Sequence, residues 1–301
     1  MACGCNIANL GYSSCGDLFG LTRKLILVRT IDDEGNRNKI SKSDFVGGVL
    51  PEAFVTGKLN ETADKRWYPL GDFNQVSEVK GDDVLFTDDF GAETLITAGS
   101  ITYEGYIESA PNTLESKVKT FGCGDFSAFY IDVNNSIVGL ETGDDLFPNQ
   151  IAKGTLRADW IKVSVVNSNV SRLKVNFTLD NSISFGDMNA ITQSCNGYDM
   201  RDLEGLFDAT STVTVISSSE LTVSVKTDGG SFCNPAMVEG LTISDFTLTN
   251  VTNSSVITIS TLTELSGVYT LGFLAQNTSD VGTLAISKTG FDIPTKTIAF
   301  L

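Results

Sequence analysis

The chain of 301 residues contains no histidine. That removes the commonest general base and the commonest metal ligand together, so Ser–His–Asp and Cys–His catalytic arrangements are excluded. Cysteine is sparse and badly spaced for metal. Cys3, Cys5, Cys15, Cys123, Cys195 and Cys233 include no Cys-x-x-Cys pair, and the Cys-Gly-Cys at 3–5 is too tight for a zinc knuckle. Positive charge is also scarce: 21 Lys and Arg face 37 Asp and Glu, a net charge of −16. A general nucleic-acid binder needs basic residues to neutralise phosphates, so that class is disfavoured. No apolar run reaches the length of a membrane-spanning helix, and MACGCNIANLGYSS lacks the basic and apolar regions of a secretory leader. These absences point to a protein made in the cytosol with free thiols, without disulfides, metal, cofactor, membrane partner or catalytic site.

What is present is β-forming. Val, Ile, Thr, Ser and Phe dominate, and the length allows two domains. A change of style marks the boundary within NGYDMRDLEGLFDATSTVTV (196–215). Residues 1–205 carry 29 acids and 18 bases, whereas 206–301 carry the remaining 8 and 3. The first segment opens with an irregular N-terminal arm of about twenty residues. KLILVRTIDDEGNRNKI (24–40) then reads as an apolar strand, an acidic turn and a polar return. An EF-hand starting at Asp32 would need Gly at its sixth position and Glu at its twelfth, and Ser43 stands where the Glu belongs, so a hairpin tip is expected. Residues 41–66 show no clear periodicity and read as a long loop, with a strand starting near Trp67. Gly-punctuated strands follow over 74–109.

PNTLESKVKTFG (111–122) is the convincing helix: Pro111 suits its first turn, Leu114, Val118 and Phe121 share a face, and Gly122 closes it. FSAFYIDVNNSIVGLE (126–141) reads as a strand, an Asn-Asn turn and a second strand, and 160–179 repeats the pattern. The first domain is therefore expected to be a β-sandwich or barrel with one flanking helix. In 206–301, alternation in TVTVI, LTVSVK, SVITIS and GVYTLGFLA gives short strands at the spacing of an immunoglobulin-like sandwich, without its Cys…Trp…Cys pattern. The fold class is all-β.

Four acidic doublets recur: Asp32–Asp33, Asp82–Asp83, Asp88–Asp89 and Asp144–Asp145. Nothing in their spacing pairs them with Trp67, Tyr68 or Trp160 as a glycosidase cleft would require. Solvated turns or a repulsive surface explain them better. Cys123, in FGCGDF, has no base to activate it and reads as a buried structural thiol. The Asn-x-Ser/Thr triplets at Asn60, Asn176 and Asn250 follow from the composition.

The order of elements, with the phrases KLILVRTIDDEGNRNKI, RWYPLGDFNQVSEV, PNTLESKVKTFG and FSAFYIDVNNSIVG, resembles the major tail tube proteins of tailed bacteriophages, especially those of Bacteroides-like hosts, over residues 1–200. The resemblance implies a virion protein assembled as a homo-oligomer. Rings, expected to be hexameric, stack into a tube whose hairpins join edge to edge into an inner barrel. The 41–66 loop would then reach the adjacent ring, as would the N-terminal arm. An appended immunoglobulin-like domain would decorate the exterior, which suits a non-contractile tail. DNA would pass without specific binding through a lumen made repulsive by carboxylates. Asp82, Asp83, Asp88 and Asp89 are the first candidates to face it, ahead of Asp32 and Asp33. Further partners would be other tail proteins and, through the second domain, a host-surface glycan. The rival readings are a tail terminator, collar or head-decoration protein, or a surface adhesin binding glycans.

Overall fold

The computed structural model describes residues 20–108, 110, 112–165, 168–180, 188–192, 198–231 and 234–301. The N-terminal arm, Pro111, Cys3, Cys5, Cys15, Cys195 and Cys233 lie outside the described residues. The chain forms two compact units whose main boundary in sequence lies between Leu203 and Glu204, with residues 112–114 grouping with the second.

The first unit contains, in chain order, β1 (Thr22–Arg29), β2 (Ile40–Ser41), α1 (Glu52–Leu59), β3 (Tyr68–Gly71), β4 (Phe73–Lys80), β5 (Val84–Thr87) and β6 (Glu93–Thr97). There follow β7 (Ile101–Glu108), α2 (Asn112–Phe121), β8 (Phe126–Asp132), β9 (Ser136–Thr142), β10 (Asp145–Phe147), β11 (Asn149–Gln150), β12 (Arg157–Val165), β13 (Ser168–Thr178) and β14 (Met188–Thr192). One sheet runs β2-β10-β9-β8-β1-β3, with β11 also on β8 and β14 on β9; a second runs β12-β13-β7-β4.

The apolar run of β1 is explained by its place. It lies between β8 and β3, and Leu25, Ile26, Leu27 and Val28 are all buried, because both faces of this sheet are covered. On one face Tyr130 meets Tyr103 and Phe177 of the second sheet, at ring distances of 5.8 and 6.5 Å. On the other face Phe129 meets Trp67, which in turn meets Phe54 of α1, each at 5.9 Å. The sequence left α1 inside a loop. Val55 and Leu59 are buried, as are Leu50 before α1 and Trp67 after it, so residues 50–67 form a packed layer. Phe54, Val55 and Leu59 give only the single i,i+4 step from Val55 to Leu59 rather than a regular helical repeat, and this eight-residue helix contains Gly57, so the period is too weak to read against the surrounding polar residues.

α2 falls where expected and buries Val118; Phe121 packs edge-on against Tyr68 and Phe126 at 4.9 and 4.8 Å. Gly122 is required for close approach, since a Cβ there would stand 2.8 Å from the Leu156 carbonyl oxygen. Cys123, expected to be buried, is an exposed thiol, because it follows that helix end outside both sheets. The Asn-Asn turn joins β8 to β9, with Asn135 at φ 63°. The buried Asp132 carboxylate accepts the backbone N–H groups of Gly20, Asn134 and Ser136 at 2.7–2.8 Å.

The second unit, Glu204–Leu301, contains β15 (Phe207–Ser217), β16 (Glu220–Ser231), β17 (Asn234–Met237), β18 (Phe246–Asn250), β19 (Ser255–Ile257), β20 (Ile259–Leu265), β21 (Val268–Phe273), β22 (Val281–Ile286), β23 (Phe291–Asp292) and β24 (Lys296–Ala299). The order β15-β16-β21-β20 in one sheet and β18-β22-β24 in the other, with β19 beside β18, is the ABED and CFG arrangement of an immunoglobulin-type sandwich. SVITIS, read as one strand, is split between the two sheets at Thr258, and Ile257 and Ile259 both enter the single core. Tyr269 is buried in that core. Its hydroxyl donates to the Val238 carbonyl at 2.7 Å and accepts the Leu241 N–H at 3.2 Å.

Candidate functional site

The sheet β12-β13-β7-β4 is antiparallel throughout, and both marginal strands lack a partner on their outer sides among the described residues. Its inner face is core: Ile101, Tyr103, Ile107, Leu173, Val175 and Phe177 are buried. The alternate residues, among them Glu104, Tyr106 and Glu108 of β7 and Arg172, Lys174 and Asn176 of β13, form a polar, part-exposed face. β12 keeps register for nine residues with neither proline nor bulge. Such an edge is a ready template for another strand.

β4 and β7 continue past the sheet as an arm built on β5 and β6. At its root a Cβ on Gly99 would lie 1.9 Å from the Gly81 carbonyl oxygen, so only glycine fits that crossing. The tip turns at Gly91, φ 80°, where the Asp88 carboxylate accepts the N–H groups of Phe90 and Ala92 at 2.9 and 2.8 Å. Every residue of β5 and β6 is exposed. The arm carries Val84, Leu85, Phe86, Leu95 and Ile96, each about half exposed or more, and Phe90 at 96 %. With Val79 at its root, the arm is apolar on both faces of the ribbon, Val84 and Phe86 on one and Leu85 and Leu95 on the other, an exposure of the kind that marks a contact site.

The acidic doublets divide into two kinds. Asp32 organises its own turn, accepting the N–H groups of Glu34 and Asn36 at 3.0 and 2.7 Å, while Lys65 lies 3.6 Å away. Asp33 pairs with Arg29 at 2.8 Å and donates its N–H to Asp64. That N–H, with the Thr62 hydroxyl, holds the Asp64 carboxyl at a pKa of about 2. An Ile31–Arg37 bridge closes the expected hairpin tip, but β1 and β2 then part to different neighbours. Asp144 and Asp145 are matched by Lys42 and Lys39 at 3.5 and 2.6 Å. Both of these doublets are thus paired with cations, and Asp32 also caps its own turn.

The other two doublets sit on the arm. Asp83, at the root, is held by the Gly99 N–H at 2.7 Å and by Lys80 at 3.0 Å, which in that order lower its pKa. Asp82 and Asp89 have no hydrogen-bond or ion-pair partner among the described residues. The structure therefore gathers Asp82, Asp83, Asp88 and Asp89 on one projection and leaves Asp32 and Asp33 elsewhere.

Sequence reading missed the pattern of charges on the polar face. Arg172 pairs with Glu108 at 2.8 Å and Lys174 with Glu104 at 2.5 Å; Tyr106 also donates to Glu104. Lys174 first, and Tyr106 second, keep the Glu104 carboxyl below its ordinary pKa. With Arg157 and Asp159 the face carries three cations and three carboxylates. The signal was the alternation of charge in TYEGYIE and RLKVNFT, but only the β7–β13 register brings the partners together.

Among the described residues no group of three or more Cys, Asp or Glu could hold a metal, and no helix is long and apolar enough to cross a membrane. No family model, curated protein or solved structure matches the chain.

Proposed function

We propose that this chain is a structural subunit of a bacteriophage tail tube, self-assembling into stacked rings through which DNA passes. The carrying observation is the open sheet: four antiparallel strands, two margins unpaired among the described residues, one buried face and one polar, part-exposed face. Because the strand count is even, β12 of one copy lies antiparallel to β4 of the next at every junction. A head-to-tail contact of this kind closes into a ring and removes every edge.

In such a ring the bulk of each subunit takes the larger radius, so the polar face lines the bore. Six copies supply 24 strands. At usual spacing and tilt their barrel is about 45–50 Å across between backbones, wide enough for a double helix. The apolar arm is satisfied by docking on another copy. Multiplied around a ring, Asp82, Asp83, Asp88 and Asp89 add negative charge, felt over about 8 Å at physiological salt. The immunoglobulin-like unit is an exterior domain in this reading, and the protein's place is the virion.

The test is negative-stain microscopy of the purified protein across a concentration series. Rings and hollow tubes are expected. A protein that stays monomeric at every concentration, or forms solid aggregates only, would overturn the proposal.

A further inference from the structure

We propose that the polar face of the β12–β13–β7–β4 sheet is a polyanion-excluding wall, kept non-adhesive because Glu108 and Glu104 lock Arg172 and Lys174 into cross-strand ion pairs. The inference rests on the tube reading, which makes this face the bore, and it goes beyond a merely acidic lumen. The face holds as many cations as carboxylates, unlike the chain as a whole. Its exclusion of DNA must therefore come from how its cations are held.

The geometry supplies the means. Arg172 and Lys174 are adjacent outward positions of β13, and each is met from β7 by a carboxylate, at 2.8 and 2.5 Å. The four charged side chains are 25–34 % exposed, so a passing phosphate could reach them. Glu104 is fixed by a second donor, Tyr106, and Asp159 stands opposite Lys174 on β12. Arg157, the third cation, is exposed on the marginal strand and has no ion-pair partner among the described residues, so the locking concerns Arg172 and Lys174. The neighbouring outward residues Gln75, Ser77, Thr102 and Asn176 are uncharged.

An unpaired lysine or arginine in a repeating bore would exchange its counterions for DNA phosphates, and many weak contacts would sum to salt-dependent adhesion. Ion pairing removes that exchange at its origin. Cross-strand pairs also steady a sheet, so the test has to separate the two roles.

Tubes of the wild type and of Glu104→Gln/Glu108→Gln are mixed with short duplex DNA, sedimented and treated with nuclease. Wild-type tubes should retain almost none. Variant tubes should retain at least about tenfold more nuclease-protected duplex at roughly 50 mM salt, a gain lost by roughly 200 mM. Variant tubes that melt earlier but retain no more DNA than wild type overturn the inference and leave the tube reading standing. Wild-type protein that forms no tubes overturns both. If the double variant fails to assemble, Glu104→Gln alone, which releases only Lys174, carries the same comparison.

Discussion

Phe90 offers a separation of folding from assembly. It stands at the arm tip, 96 % exposed, and touches nothing that the fold depends on. Phe90→Ser should therefore leave the unfolding of the unassembled protein within about 0.5 kcal/mol of wild type. If the tip is buried against a second copy, the lost apolar contact is worth about 2 kcal/mol, a roughly 30-fold rise in the concentration needed for assembly. Adding Phe86→Ser, where about half of the ring is already shielded, brings the loss to about 3 kcal/mol and the rise above a hundredfold. Sedimentation measures the assembled fraction against concentration, and a denaturant melt of dilute protein reports the fold. An unchanged assembly threshold would refute the docking of the arm. A large loss of monomer stability would show instead that the arm packs on its own chain.

Three other outcomes are expected. Trp67→Ala, which opens a cavity between Phe54 and Phe129, should destabilise the first unit by about 3–5 kcal/mol in urea unfolding; a loss below 1 kcal/mol would mean that residues 50–67 are a loose surface loop after all. Tyr103→Phe and Tyr130→Phe each remove a buried hydroxyl that has no partner among the described residues, so the melting temperature should hold or rise, and a clear fall would reveal a hidden partner. Asp64 has a folded pKa of about 2, below its ordinary 3.8, so its stabilising contribution is complete above pH 4 and is lost as the pH falls towards 2. Asp64→Asn should flatten the stability profile in that window, and an unchanged slope there would refute the role given to the Asp33 N–H.

The sequence disclosed elements whose pattern is local. The KLILV run announced a strand, Val118 and Phe121 announced α2, and alternation in LTVSVK and GVYTLGFLA announced the second sandwich. It concealed whatever depended on pairing between distant strands. α1 was hidden because Phe54 finds Trp67, and Val55 and Leu59 find burial, only after folding. The break at Thr258 was hidden because both flanking isoleucines point into one core. The acidic doublets looked alike as text, yet cations at Lys39, Lys42 and Lys65 neutralise two of them, while two ride on an arm. The ion pairs of the polar face could be assigned only once β7 and β13 were in register.

The most direct test of the whole account is a high-resolution electron cryomicroscopy reconstruction of the assembled particle. It should trace one unbroken sheet around the axis, with the backbone of Arg157–Val165 in one copy hydrogen-bonded to that of Phe73–Lys80 in the next and with Glu104 and Lys174 facing the bore. A particle in which those two margins meet solvent, or in which that face points outward, would contradict it.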